Sequence, residues 1–244
     1  MRIALFGTPC SDQFTKYIQH LVSRIESEGI TLLVYDEYLS FLTKKVKFKN
    51  PPHVFDSYDS LKNNADFLFS IGGDGTLLGS VTLVRDSNIP ILGINTGRLG
   101  FISSVSTDQI ESAINDVINN NFHIKSRTLL TLETENKLFG NVNFALNEVA
   151  IVKQDTSSMI RIDAFIDEEF LNSYWADGLV IASPTGSTGY SLSCGGPIIT
   201  PGTKNIIITP IAPHNLNVRP IVVSDDNIVK LKVADKDQLA LVSL

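Results

Sequence analysis

The sequence is poor in the residues that mark a metal centre or a disulfide framework. Two cysteines, Cys10 and Cys194, make neither a disulfide scaffold nor a zinc site. Four histidines, His20, His53, His123 and His214, are scattered without metal-ligand spacing. Each reads as a surface or structural histidine, and only His214, within Ala212-Pro213-His214-Asn215-Leu216, stands in suggestive company. No apolar run approaches the roughly 20 residues needed to cross a bilayer. Met1 to Gly7 enters a strand-like run too directly to be a signal peptide, so a cytoplasmic protein is the expectation. Positive charge is not in excess: the net charge is −6, which argues against broad nucleic-acid binding. A G-x-x-x-x-G-K-[S/T] loop is absent, and with it a Walker-type NTPase. The protein-kinase catalytic loop and its D-F-G triplet are absent too. No G-x-G-x-x-G follows the first strand-like run, so dinucleotide capture in the usual dehydrogenase manner is unsupported.

What is present is an ordinary globular composition. Over 244 residues, 43% are hydrophobic and 19% charged, enough for a core without disulfides or structural metals. The length suits one large domain or two modest ones. The chain is organised around Phe67-Leu68-Phe69-Ser70-Ile71, an apolar run that reads as a buried strand. It stops at Gly72-Gly73-Asp74-Gly75-Thr76, and a helix-compatible segment with Leu77, Leu78, Val81 and Val84 begins. Strand, glycine turn and helix is the arrangement in which backbone N–H groups face an anion. Glycines let the backbone approach phosphate oxygens closely. Asp74 would repel phosphate, which suggests chemistry or metal binding rather than anion capture alone. A plain tight turn with Asp as its cap accounts for the same residues.

Arg2 to Phe6, Thr31 to Tyr35 and Ile91 to Ile94 read as further strands. Phe14, Ile18, Leu21, Val22 and Ile25 recur at helical spacing with Gly29 as the stop, and Glu37 to Lys44 suits a short helix. Strands alternating with helices imply a parallel sheet, with ligands beyond the carboxyl ends of the strands. Both Gly72 to Thr76 and Asn95-Thr96-Gly97-Arg98-Leu99-Gly100 would lie at that edge. Ser106-Thr107-Asp108-Gln109 has the form of a capping box before a helix bearing Ile110, Ala113, Ile114, Val117 and Ile118. From Phe122 the pattern changes to short β-branched runs: Thr128 to Glu133, Val142 to Lys153, Ile160 to Ile166, Leu179 to Ala182, Ile206 to Thr209, Ile221 to Val223 and Ile228 to Val233. This half reads as all-β, a sandwich. The boundary is expected near residue 104, giving domains 1–104 and 105–244.

The second half holds a dense polar stretch. Tyr174-Trp175-Ala176-Asp177-Gly178 and a strand precede Ser183-Pro184-Thr185-Gly186-Ser187-Thr188-Gly189-Tyr190-Ser191-Leu192-Ser193-Cys194-Gly195-Gly196-Pro197. So many hydroxyls and glycines are not expected to fill a core. A long polar loop and a nucleotide-sized binding surface both remain open. Asn147-Glu148 is a polar pair inside an apolar run, which a solvated strand face explains as readily as a site does.

Together these motifs resemble the NAD kinases. Gly72-Gly73-Asp74-Gly75-Thr76, Gly93-Ile94-Asn95 with Leu99-Gly100-Phe101, Asn147-Glu148, Asp177-Gly178 and Pro184 to Ser193 occur in that family's order. Ile208 to His214 with Arg219-Pro220 extends the similarity over nearly the whole chain. The glycine turn alone is shared with lipid and sugar kinases. The resemblance implies a Rossmann-like α/β domain followed by a β-sandwich domain, assembled as a homodimer or homotetramer. It implies ATP-dependent phosphorylation of the 2′-hydroxyl of the adenosine ribose of NAD, with a divalent cation, commonly Mg²⁺. By the same resemblance Asp74 is the catalytic base and Gly75 lines the NAD site, with Gly72, Gly73 and Thr76 binding alongside it. Asn147 and Glu148 hold the adenosine part, Asp177 belongs to the dinucleotide site, and Thr188, Gly189, Tyr190, Ser191, Leu192 and Ser193 wrap the remainder. A catalytically silent dinucleotide-binding protein is the alternative of a different class. This chain departs from the family in three places. Gly189 stands where alanine is usual, Trp175 where some members have a basic residue, and the family usually continues beyond Leu244.

Overall fold

The computed structural model describes residues 1–97, 100, 102, 105–154, 158–234 and 239–244. Arg98, Leu99 and Phe101 of the second glycine turn, and Ser104 at the expected boundary, lie outside the described residues. The chain forms two compact units, Met1–Ile124 and Lys125–Leu244.

The first unit is a parallel sheet with helices on both faces. In chain order its elements are β1 (Arg2–Gly7), α1 (Asp12–Ser27), β2 (Thr31–Tyr35), α2 (Asp36–Leu42), β3 (His53–Phe55), α3 (Tyr58–Leu61), β4 (Phe67–Ile71), α4 (Asp74–Val84), β5 (Ile91–Ile94) and α5 (Ile110–Ile118). The strands are apolar along their length because both faces are covered. Ile3 and Leu5 pack on one face with Phe14, Ile18 and Leu21 of α1, while Ala4, Leu33 and Leu68 pack on the other with Leu61 and Val84. Each fully buried Leu or Ile contributes about 1.5–3 kcal/mol. The helical run of α1 ends at Gly29, whose φ of +68° is a left-handed stop. The Gln109 side chain accepts the Ser106 N–H ahead of α5, which is the expected capping arrangement. β3 and α3, of 3 and 4 residues, have no counterpart in the sequence reading, because segments that short show no periodicity.

The strand order is β3-β2-β1-β4-β5, all parallel. The order reverses between β1 and β4, so the crevice beyond their carboxyl ends is where such a sheet receives a ligand. Gly7-Thr8 and Gly72 to Thr76 stand there, with the Thr8 and Thr76 hydroxyl oxygens 3.4 Å apart. The unit extends past the expected boundary near 104. Ile110, Ile114 and Val117 of α5 join the same core as Ile3 and Leu5, and the Phe122 ring meets Phe67 edge-on at 5.4 Å.

The second unit is an antiparallel sandwich. Its strands are β6 (Leu130–Thr131), β7 (Phe144–Ala145), β8 (Glu148–Lys153), β9 (Ile160–Ile166), β10 (Glu169–Ala176), β11 (Gly178–Ala182), β12 (Asn205–Ile211), β13 (Ile221–Ser224), β14 (Val229–Val233) and β15 (Ala240–Ser243), with a short helix α6 (Tyr190–Ser193). One sheet runs β10-β9-β14 and the other β13-β12-β11-β8-β15, beside a two-stranded pair β6-β7. Ile160, Ile162, Ala164 and Tyr174 of the first sheet pack on Leu179, Ile181, Ile206 and Ile208 of the second. The run expected from Val142 to Lys153 breaks at Leu146-Asn147, between β7 and β8. β10 was not foreseen, since Glu169, Phe170, Ser173 and Trp175 lie exposed along it and blur the apolar alternation. β11 is buried at all five positions. On its second face Val180 and Ala182 pack with Ala150, Ile207 and Ile199.

Candidate active site

In the first unit the site is built on the start of α4. β4 ends at Ile71, and the Gly72 N–H donates to the Ile94 carbonyl at 2.9 Å, fixing the turn to β5. Gly73 is the N-cap of α4, its carbonyl accepting the Thr76 and Leu77 N–H groups at 3.0 and 3.2 Å. A side chain at Gly72 would collide with Thr76, whose Oγ1 lies 2.1 Å from where a Cβ would stand. At Gly73 and Gly75 a Cβ would meet no described atom within 4 Å. These two glycines are therefore not demanded by packing within the protein.

Asp74 is the first residue of α4, half-buried between the exposed Gly73 and Gly75. A carboxylate there is favoured by the positive end of the helix. The Ile102 N–H donates to Asp74 Oδ1 at 3.2 Å. Gly100 lies flat against the same group, with both carboxylate oxygens within 2.6 Å of its Cβ position. Asp74 is thus held by α4 on one side and by Gly100 and Ile102 on the other. Asn95 is buried just upstream, its side-chain Oδ1 accepting the Gly97 N–H at 2.8 Å.

In the second unit Asn147 and Glu148 stand at the start of β8, opposite Ala182 at the end of β11. Buried Asn147 Oδ1 and Glu148 Oε2 have no hydrogen-bond partner among the described residues. A buried polar atom left unpaired costs about 1–3 kcal/mol, and the Tyr38, Ser70 and Tyr174 hydroxyls share that condition elsewhere in the chain. Burial pushes the Glu148 carboxyl above the usual carboxylate range, and the Tyr190 N–H, directed at it, works against that rise. Gly189 lies beneath both side chains: a Cβ there would stand 3.0 Å from Glu148 Oε2 and 3.9 Å from Asn147 Nδ2.

The polar stretch that follows β11 does fill a core, contrary to expectation. Ser183, Pro184, Thr185, Gly186, Ser187 and Ser191 are buried. Burial is tolerated because their hydroxyls find partners within the fold. Ser183 Oγ donates to the Leu146 carbonyl at 2.5 Å. Ser187 Oγ donates to the Pro184 carbonyl at 2.7 Å and accepts the Ile199 N–H at 3.1 Å. Ser191 and Thr209 share a hydroxyl–hydroxyl bond at 2.8 Å. The segment is pressed onto the Asn147 backbone, whose carbonyl oxygen is 2.0 Å from the Cβ position of Gly186. Thr188, Gly189, Tyr190, Leu192 and Ser193 remain at least partly exposed, whereas Ser191 is turned inward.

Asp177 does not join Asn147 and Glu148. It precedes Gly178 at the opposite end of β11, roughly 17 Å from the position facing Glu148 at the rise of a strand. Its carboxylate pairs with Lys153 Nζ at 2.7 Å. Gly178 is required by packing, a Cβ there standing 2.3 Å from the Ile151 carbonyl oxygen. Close by in sequence, the Trp175 ring packs on the His214 ring at 4.7 Å, and the His214 N–H donates to the Trp175 carbonyl at 2.8 Å. The residues missed from sequence are the scaffold ones: Ser183, Ser187, Thr209 and Lys153. The recurrence of serine every fourth position from 183 to 191 was the available signal.

Two family models match the chain. The ATP-NAD kinase N-terminal domain matches residues 3–122, and the ATP-NAD kinase C-terminal domain matches residues 146–243. An NAD kinase from Cytophaga hutchinsonii is 45% identical over 246 residues, covering 100% of this chain and 84% of that protein. An NAD kinase from Bacteroides fragilis is 44% identical, covering 100% of this chain and 83% of its own length. Among solved structures, yeast NADH kinase complexed with NADH superposes with a TM-score of 0.87 at 26% identity, covering 100% of this chain and 74% of that one. An NAD kinase from Archaeoglobus fulgidus in complex with ATP gives 0.70 at 25% identity, covering 98% and 86%.

Proposed function

The chain belongs to the NAD kinase family, and from there we propose that it phosphorylates the 2′-hydroxyl of the adenosine ribose of NAD with ATP, Asp74 being the general base. The observation that carries this reading is the placement of Asp74. A carboxylate on the first turn of α4, braced by Ile102 and flanked by two open glycines, can receive a hydroxyl proton while leaving room for a substrate. A ribose hydroxyl is a poor nucleophile at neutral pH, and a carboxylate in hydrogen-bond reach orients it and accepts its proton. The N–H groups of Gly73 and Gly75 and the start of α4 suit the donor's phosphates, because phosphoryl transfer needs positioning and charge neutralisation above all.

Asn147 and Glu148 are assigned to the adenosine part of NAD, supported by their unpaired buried oxygens. Thr188, Gly189, Tyr190, Leu192 and Ser193 are assigned to the rest of the dinucleotide, Ser191 acting from beneath. Asp177 is assigned to a separate dinucleotide contact, its carboxylate steadied by Lys153.

Mg²⁺ fits this donor set in one mode. Among the described residues no three His, Cys, Asp or Glu side chains cluster as a cage. Mg²⁺ is commonly held by one or two carboxylates, waters and substrate phosphates, which Asp74 together with ATP would provide. When bound, it neutralises charge on the donor's phosphates. Homo-oligomeric assembly and a cytoplasmic location belong to the same proposal on the strength of the resemblance. No helix among the described residues is long and apolar enough to cross a membrane.

The test is NADP formation from NAD, ATP and Mg²⁺, with Asp74→Asn beside the native chain. We expect a loss of about a hundredfold or more in kcat with NAD binding retained. A near-normal rate in the variant would remove Asp74 from the role of base.

A further inference from the structure

Thr209 sits on the face of β12 shared with Ile207 and Ile211, in a layer otherwise made of Ala150, Val180, Ala182 and Ile199. A fully buried hydroxyl in such a layer needs a partner. Its side-chain partner is Ser191, also fully buried, at 2.8 Å. Ser191 is the only buried residue of α6, whose Tyr190 and Leu192 are 39% and 40% exposed. A helix of four residues has no stability of its own, so its seat is set by whatever it is fastened to. Here its one inward side chain is fastened by a hydroxyl. Gly196 makes room for it: a Cβ at that position would lie 2.2 Å from Ser191 Oγ and 2.9 Å from Thr209 Oγ1. The Gly196 and Cys194 N–H groups then close on the Ser191 carbonyl at 2.8 and 3.1 Å. One residue before Ser191, the Tyr190 N–H addresses the Glu148 carboxylate, and one residue further back Gly189 lies beneath it. Any rocking of α6 about Ser191 displaces both.

We propose that the buried Ser191–Thr209 pair is a positioning device for the dinucleotide site, seating α6 against Glu148 and so setting affinity for NAD rather than the rate of phosphoryl transfer. The inference rests on the assignment of Asn147 and Glu148 to NAD.

Steady-state kinetics of a small set of variants test it. Thr209→Val keeps the side-chain shape, removes the hydroxyl and leaves Ser191 buried with no partner. The KM for NAD rises roughly tenfold, while kcat and the KM for ATP stay near native values. Thr209→Ser restores the hydroxyl and with it the KM. Ser191→Ala with Thr209→Val together removes both partners, and lies closer to native than the two single effects combined. Should Thr209→Val prove insoluble, Thr209→Ala carries the same expectation. A fall in kcat at unchanged KM, or a defect that Thr209→Ser fails to repair, overturns the positioning role in favour of plain packing. Glu148→Gln separates the two layers of the argument. If it leaves the KM for NAD untouched, the assignment of Glu148 fails and this inference with it. If it raises the KM while Thr209→Val does not, only the positioning role is lost.

Discussion

Two turns in this molecule share a composition and use it in opposite ways. Gly72 to Thr76 and Ser183 to Ser193 each follow a buried strand, each are rich in glycine and hydroxyls, and each lead into a helix. In the first, Gly73 and Gly75 face open space. In the second, a Cβ on Gly186 would stand 2.0 Å from the Asn147 carbonyl oxygen, and one on Gly189 would stand 3.0 Å from Glu148 Oε2. The missing side chains of Gly73 and Gly75 leave space open, whereas those of Gly186 and Gly189, like that of Gly72, make room for the protein's own atoms. Glycine content cannot tell these uses apart; what stands opposite the missing Cβ can.

Gly186→Ala is the harshest way to probe that contrast. Its Cβ would meet only backbone atoms of Asn147, which cannot swing aside, so the second unit should lose several kcal/mol or fail to fold. A thermal melt showing native stability would break the comparison. Gly75→Ala should do the reverse. The new methyl is tolerated by the helix and favours it by up to about 1 kcal/mol, so the melting temperature holds or rises. Turnover should fall about tenfold or more, because the methyl occupies substrate space. Loss of stability without loss of activity would put Gly75 in the same class as Gly186.

Glu148→Gln sharpens the comparison through pH. The Glu148 carboxyl is raised by burial, so its ionised form opposes folding. Above both its folded and unfolded pKa values that cost is present in full. Below the unfolded pKa both states are protonated and the cost vanishes. Glu148→Gln should therefore melt higher than the native chain at pH 7.5 and lose that advantage as pH falls towards 4. A stability difference independent of pH would contradict the burial account. Gly189→Ala is expected to do least. The Cβ would stand 3.0 Å from the end of a flexible carboxylate and 3.2 Å from the Gly186 carbonyl oxygen, so the KM for NAD should shift by no more than about threefold. A change as large as that of Gly186→Ala would mean the second turn has no give.

The parallel sheet was readable from sequence because β1, β2, β4 and β5 are short apolar runs bounded by turn residues, and helices covering both faces demand that composition. α1 and α5 showed in their spacing. β10 did not, since its outward residues include both Trp175 and Ser173 and its inward ones are few. The domain boundary was misplaced because α5 follows the glycine turns in sequence yet completes the core begun by β1. Asp74 stood out as a carboxylate in a glycine turn suited to phosphate, and Asn147-Glu148 as a polar pair in an apolar run that a solvated strand face explained equally well. The inward role of Ser183, Ser187 and Ser191 was not, because a serine's hydroxyl can serve solvent or a buried carbonyl and the letter is the same. Only the folded partners, Leu146, Ile199 and Thr209, decide between them.

Those three serines have a consequence in time. Each fastens the segment from Ser183 to Gly196 at a different point, and no stretch between them is long enough to open while its neighbours stay closed. Amide protons of Gly186, Gly189, Cys194 and Gly196, which all donate within this segment, should then exchange with solvent as one cooperative unit at a shared rate. The segment from Ser183 to Gly196 is thus present whole or absent whole, with no half-formed version between.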